Sequence, residues 1–300
     1  MGTCAAHGGV VPRISVVVPI YEVEAYLADC LRSLAAQTAP DLEIVMVDDG
    51  STDGSAAIAE RFAARDRRFR LISQANGGLG HARNAGVAAA TGEFLAFVDS
   101  DDVVPCEAYE LLVAALDRTG SDFACGNVLR LADDGTSQAP FLAETFARTR
   151  LKTHVSRFRP LLADRTAWNK LWRREFWEAN ELRFPEGVLH DDIPVTLPAH
   201  VAARSVDVLA EPVYHWRIRS DGERSITQRR LEMRALVDRL AAIEHVREYL
   251  ARDGTRRLRR WYDERLVRDD RRESCFSITA AKLAAPRRAS PSGYHPVTIA

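Results

Sequence analysis

The chain has 300 residues, 41 Lys and Arg against 42 Asp and Glu, and a formal net charge of −1. That balance removes any global electrostatic case for nucleic acid, and the length allows one large domain with ample material for a core. The five cysteines are scattered and form no CxxC pair, so neither a disulfide framework nor a zinc site is expected and a reducing compartment fits. Residues 1–12 lack the basic start and apolar centre of a secretory signal and read as a flexible N-terminus. No run approaches the roughly 18 apolar residues of a membrane span. A cytoplasmic protein, soluble or peripheral at the inner membrane face, is the expectation.

Residues 14–20 are a β-branched run containing Pro19 and read as a buried first strand. Leu27, Cys30, Leu31 and Leu34 then recur at helical spacing. Residues 42–47 predict a second buried strand, ending in Asp48-Asp49-Gly50-Ser51, with Ser51 or Thr52 placed to cap a helix carrying Ile58 and Phe62. A short strand at 69–72 follows. The glycine-rich loop 74–80, with Asn76, Gly77 and Gly78, leads into a short helix bearing Arg83 and Asn84. The run Phe94-Leu95-Ala96-Phe97-Val98 then stops abruptly in Asp99-Ser100-Asp101-Asp102. A buried strand ending in clustered acids puts them at the carboxyl edge of a sheet, where open α/β sheets bind ligands. Asp99 and Asp101 alternate along the chain and suit a hard divalent ion that also holds phosphate oxygens. The plainer reading is a polar turn with Asp101 or Asp102 capping the next helix. Pro105 opens a helix with Tyr109, Leu112 and Leu116 on one face, and residues 123–131 read as a further strand. This alternation predicts an α/β fold, a mostly parallel sheet flanked by helices. Three predicted strands end in polar groups at the same edge: Tyr21-Glu22, Asp48-Asp49 and the Asp99–Asp102 cluster.

From about residue 132 to 165 the pattern weakens. Asp133-Asp134-Gly135 signals a hairpin turn. The basic residues between Arg148 and Arg165 read as a solvated face, or else as a loop facing an acceptor. Order returns at Trp168-Asn169-Lys170-Leu171-Trp172. His190-Asp191-Asp192 opens a helix over 193–203 with Pro198 inside it, and 206–209 and 213–216 read as two short strands. Residues 228–273 form an arginine-rich helical extension, with Leu231, Leu236, Leu240, Ile243 and Val246 on its apolar face. Its charge mix fits a solvated helix or contact with an anionic membrane. Residues 274–300, rich in Ala, Pro, Ser and Arg, read as a disordered tail.

Four segments carry a resemblance: Ser15-Val16-Val17-Val18-Pro19-Ile20-Tyr21, Val47 through Ser55, Asn76-Gly77-Gly78 with Ala82-Arg83-Asn84-Ala85-Gly86, and Phe97 through Asp102. In order and spacing they resemble the family 2 glycosyltransferases of GT-A (Rossmann-like) fold. Trp168-Asn169-Lys170 and His190-Asp191-Asp192 look like the acceptor half of that family. The flavour is similar to the transferase domain of teichoic-acid and other cell-surface polysaccharide synthesis proteins. The resemblance implies one GT-A unit over residues 13–227, with a nucleotide-sugar half at 13–131 and an acceptor half at 132–227. It also implies an inverting transfer from a nucleotide-diphosphate sugar, usually a UDP-sugar, to a hydroxyl of a glycan, polyol-phosphate polymer or lipid-linked acceptor.

Carried residue by residue, the resemblance gives Pro19, Tyr21, Glu22, Asp48, Asp49, Asn76, Gly77, Gly78, Arg83, Asp99 and Ser100 to the donor. Asp101, Asp99 and His215 go to Mg²⁺ or Mn²⁺. Trp168, Asn169 and Lys170 go to the acceptor side. Asp192 is the base and Asp191 its support. Glu22 stands where the family often has Asn, and Asp191-Asp192 where Glu-Asp is commoner, which leaves the order of base and support open. Two other readings compete: a sugar nucleotidyltransferase, and a non-catalytic nucleotide-sugar-binding partner of a polymer synthesis complex.

Overall fold

The structure, a computed structural model, describes residues 13–220 and 232–272. The flexible N-terminus and the disordered tail expected from sequence both lie outside the described residues, as does Leu231. In chain order the elements are β1 (Ile14–Ile20), α1 (Glu24–Ala35), β2 (Leu42–Asp48), α2 (Ser55–Arg65), β3 (Phe69–Ser73), α3 (Leu79–Ala89), β4 (Phe94–Phe97), α4 (Ala108–Thr119) and β5 (Phe123–Ala132). There follow β6 (Gly135–Gln138), β7 (Arg150–Thr153), a 3₁₀ turn (Arg159–Ala163), β8 (Lys170–Arg173), α5 (Arg174–Ala179), α6 (Ile193–Ala202), β9 (Val206–Arg217), α7 (Met233–Arg252) and α8 (Arg256–Arg272).

The strands form one sheet in the order β3-β2-β1-β4-β8-β5-β9-β7, with β6 paired to β5. β3, β2, β1 and β4 are mutually parallel, β8 runs against both β4 and β5, and β9 is parallel to β5. The chain steps from β1 outward to β2 and β3, then crosses to β4 on the other side of β1. That reversal opens a crevice at the carboxyl ends of β1 and β4. β1 and β2 are buried along their whole length, as strands covered by helices on both faces must be. Leu27, Cys30, Leu31 and Leu34 are the buried face of α1, as their spacing predicts.

Several expectations shift. Ser51 and Thr52 do not cap α2, whose N-cap is Gly54. They instead tie to the β1–α1 loop: Glu22 N–H donates to Ser51 Oγ at 3.4 Å, and Thr52 donates twice to Glu22 Oε1. The two short strands expected at 206–209 and 213–216 are one strand, β9, with an irregular register against β5. Pro105 precedes α4 rather than opening it; its carbonyl accepts from Ala108 N–H. The Asp133-Asp134 turn closes the β5–β6 hairpin as expected. The arginine-rich extension is packed, not loose: Ala242, Ile243, Val246 and Leu250 of α7 and Leu258, Tyr262 and Leu266 of α8 join the main core.

Candidate active site

The crevice is built from four loops and held by one guanidinium. Arg83, on α3, is 1% exposed. Its Nη1 donates to both oxygens of Asp191 at 2.9 Å and to Asp192 Oδ1, and its Nη2 donates to Asp99 Oδ1 at 2.7 Å. Its plane lies over the ring of Phe184, 5.0 Å to the centroid. The acid that ends β4 and the acid pair that opens α6, about a hundred residues apart, therefore meet on one side chain. Asn84, next on α3, donates to the Phe184 carbonyl at 2.9 Å and accepts from its N–H at 3.0 Å, which pins the segment leading to Asp191. Gly80 serves the same junction: a Cβ there would stand 2.2 Å from the Pro185 carbonyl oxygen. Its smallness is thus required by helix-to-loop contact, not by approach to a donor.

Asp102 is buried and accepts from the Tyr214 hydroxyl and from the Arg217 N–H, each at 2.7 Å. It caps no helix; it joins the end of β4 to β9. Tyr214 Oη also accepts the Asp99 N–H at 3.0 Å, and its ring stacks on Trp168 at 4.3 Å between centroids. Arg217 Nε donates to the Asp101 carbonyl at 2.7 Å, and Arg219 clasps Asp101 Oδ2 through Nε at 2.8 Å and Nη2 at 2.7 Å. Both arginines lie against the Tyr26 ring. Of the five carboxylates gathered here (Asp99, Asp101, Asp102, Asp191, Asp192), three meet the Arg83 guanidinium and one that of Arg219, while the Arg217 guanidinium reaches Asp29 at 3.5 Å, which leaves an excess of negative charge when all are ionised. The titration of the buried acids registers it. Burial, with Asp192 and Asp101 nearby, pushes Asp99 up to about 6 against the pull of Arg83. Burial, with Asp192 and Asp99, likewise pushes Asp191 up to about 7. Burial, with Asp101 and Asp99, raises Asp102 well above the carboxylate range.

On the β2 side, Asp49 is 2% exposed and its oxygens are fully used. Gly77 N–H donates to both at 3.0 and 3.1 Å, Gly78 N–H at 2.7 Å and Gln74 Nε2 at 2.7 Å. Asp49 therefore shapes the glycine loop. Gly78, at φ 90°, holds a backbone conformation that favours glycine, and nothing lies within 4 Å of where its Cβ would be. Asp48 Oδ1 accepts from Ser51 N–H at 3.2 Å. Tyr21, at the end of β1, is 52% exposed beside these loops. Asn76 is exposed and Ser100 buried.

Three sequence assignments need correction. Pro19 is buried inside β1, in register with Val47, so it can face no ligand. Asn169 and Lys170 are each 1% exposed. Lys170 Nζ pairs with buried Asp164 at 2.8 Å, and Asn169 Nδ2 donates to Asp164 and to the Gly126 carbonyl. They brace the wall behind the crevice and cannot meet an acceptor. Trp168 is 9% exposed and serves as the platform for Tyr214. The three-residue metal set is not assembled either: among the described residues no three His, Cys, Asp or Glu side chains gather around a point. Asp99 is held by Arg83 and Asp101 by Arg219, while His215 joins the acid loop through backbone bonds to Val103. Burial lowers the His215 pKa. Hard carboxylate oxygens with surplus negative charge still fit a divalent ion that takes its remaining ligands from water or phosphate; Asp101 and Asp99 would be its donors. Sequence reading passed over Tyr214 and Phe184, since nothing local marks a residue whose partners lie about a hundred positions away.

The comparisons with known proteins give the family and the fold. The family model "Glycosyl transferase family 2" matches residues 15–179. A protein of Bacillus subtilis (strain 168) designated EpsH is 39% identical over 211 residues, covering 69% of this chain and 61% of the relative. The poly(ribitol-phosphate) beta-N-acetylglucosaminyltransferase TarS of Staphylococcus aureus (strain Mu50) is 32% identical over 217 residues, 70% of this chain and 36% of the relative. This chain thus matches less than two thirds of either relative's length. The crystal structure of S. aureus TarS 1–349 in complex with UDP-GlcNAc superposes with a TM-score of 0.73 at 25% identity, covering 91% of this chain and 76% of that one. The sheet is accordingly the GT-A fold, and the chain is a member of glycosyl transferase family 2.

Proposed function

We propose that the chain transfers a sugar from a UDP-sugar to a hydroxyl of a surface-polymer acceptor, with inversion at the anomeric carbon. The observation that carries this is the meeting of Asp99, Asp191 and Asp192 on Arg83 at the switch-point edge of the sheet. A donor-holding strand end and an acid pair able to take a proton are brought together there. The likeness to TarS with bound UDP-GlcNAc supports the choice of a UDP-sugar, and the polymer acceptor rests on the relatives' names.

In this reading the uracil and ribose lie along the carboxyl ends of β1 and β2, with exposed Tyr21 as a stacking face for the base. The diphosphate sits over Asp99 and Asp101, where Arg217 and Arg219 stand to take its charge. A divalent ion held there by Asp101 and Asp99 would neutralise the leaving diphosphate. Asp192 is the base. Its side chain is 17% exposed against 3% for Asp191, so it is the member of the pair that reaches the crevice. Its Oδ2 accepts from Ala167 N–H at 3.0 Å and Oδ1 from Arg83, and although Asp192 stands at the N-cap position of α6 its side chain makes no capping hydrogen bond. The acceptor oxygen gives its proton to Asp192, forms its bond to the anomeric carbon from the face opposite the diphosphate, and the carbon–oxygen bond to phosphate breaks.

The test is thermal-shift binding of UDP, CDP and GDP, with and without Mn²⁺, on wild type and Asp101→Ala. UDP should stabilise wild type in a metal-dependent way that Asp101→Ala abolishes. Stabilisation by CDP or GDP in place of UDP changes the donor; no nucleotide effect on wild type overturns the reading.

A further inference from the structure

A cleft of about 530 Å³ opens beside β7, away from the candidate active site. Four cations line it: Arg148, Arg150, Lys152 and Arg157, with Phe158. None of the four forms an ion pair among the described residues. The two carboxylates recorded beside it serve other groups. Glu211 Oε2 accepts from Thr149 Oγ1 at 3.1 Å, and buried Asp207 Oδ1 accepts from the Lys152 N–H at 2.8 Å. Arg150 lies 4.3 Å from the Phe158 ring centroid, which orients its guanidinium, and its buried Nε has no hydrogen-bond partner. Arg157 is anchored to the Lys152 carbonyl at 3.1 Å. Lys152 holds φ 50° where the register against β9 shifts, a bend that re-aims side chains. Arg257 of α8 donates to the Ser156 carbonyl at 2.7 Å, so further positive charge adjoins the cleft. Concentrated cations without ion-pair partners, here exposed Arg148, Lys152 and Arg157 around half-buried Arg150, are the chemistry that recognises phosphate.

The location says what kind of phosphate. β7 pairs with the start of β9, Arg150 opposite Val208. Tyr214 is six positions further along β9, about 20 Å at strand rise. One small ligand cannot occupy both places; a chain with anions repeated along it can. We propose that this cleft binds a phosphodiester of a polymeric acceptor, anchoring the polymer remote from the point of transfer. The proposal rests on the polymer-acceptor reading above and names the acceptor's chemistry. A lipid surface is the weaker occupant, because none of the large apolar side chains exposed among the described residues (Tyr21, Met233, Val237, Val267) lines the cleft.

The experiment compares wild type, Arg148→Glu/Lys152→Glu and Arg148→Gln/Lys152→Gln. The probes are fluorescent poly(glycerol phosphate), inorganic phosphate, and vesicles of phosphatidylcholine with phosphatidylglycerol. UDP thermal shift is followed in parallel. Wild type should bind the polymer in a salt-sensitive way and more tightly than inorganic phosphate. The Glu pair should weaken the polymer by about tenfold or more, with the Gln pair between, and UDP stabilisation should be equal in all three. Equal polymer affinity in wild type and the Glu pair, no polymer binding by wild type, or binding to vesicles without binding to polymer overturns the proposal. Loss of the UDP effect in wild type with polymer binding intact sinks the transfer reading and leaves the cleft standing.

Discussion

Arg83 is the residue on which the crevice depends. A buried guanidinium with three carboxylate partners is stable only because its fork geometry matches them. Truncation leaves the partners close together without a countercharge, a situation that costs about 3–5 kcal/mol. Arg83→Ala should therefore lower the urea unfolding midpoint sharply at pH 7.5. Arg83→Lys should recover part of the stability but not the turnover, because one ammonium cannot hold Asp99, Asp191 and Asp192 at once. Full activity in Arg83→Lys would show that the acids are positioned by something else. The sequence marked Arg83 as a donor contact. Its ties to Asp191 and Asp192 were not legible, because a side chain's far partner depends on how two distant loops pack.

At the scale of elements, α3 acts as a staple between the nucleotide half and the loop that carries the base. It does so with three neighbouring features: Gly80 against the Pro185 carbonyl, Arg83 on the acids and Asn84 on Phe184. A carbonyl of the backbone cannot swing aside as a flexible side chain can. Gly80→Ala should then force helix and loop apart and destabilise by about 1–3 kcal/mol, the usual cost of overpacking, read as a lower midpoint in urea. An unchanged midpoint would mean that the 185–187 turn yields freely. The β1–α1 and β2–α2 loops are laced in the same manner by Glu22, Glu24, Asp53 and Ser55, which explains why Glu22 tolerates the place where the family often has Asn. Its Oε1 takes the Thr52 backbone N–H and hydroxyl.

For the whole molecule, the acid excess at the crevice couples stability to pH. Asp191 in the fold keeps its proton to about pH 7, while in the unfolded chain it releases it near its ordinary value of 3.8. Its contribution is complete below that lower value and is lost as pH rises through about 7, since the folded state binds the extra proton in between. Wild type should therefore lose stability between pH 5 and pH 8 in chemical denaturation. Asp191→Asn should flatten that slope, and an Asn variant with the wild-type slope would assign the pH dependence to other groups. The same scale holds the docking of α7 and α8 onto the core, which makes the arginine-rich extension part of one folded body with the GT-A unit.

The strand-and-helix order of the first half, and the three strand ends that meet at one edge, are legible in the residues alone. Apolar runs of strand length bounded by Asp and Gly can be read locally, and Cys30 and Cys125 follow the same rule into the core. Tertiary structure alone decided which polar residues face the crevice. Asn169 and Lys170 go to the acceptor side by resemblance, yet a buried carboxylate, Asp164, draws them inward. Asp49 reads as a ligand contact, yet the glycine loop supplies it with backbone donors. The basic run around Arg148 read as a solvated face or as a loop facing an acceptor, and only the pairing of β7 with β9 folds it into a cleft. Burial and partner choice are properties of surfaces brought together over long sequence separations, and no local pattern encodes them.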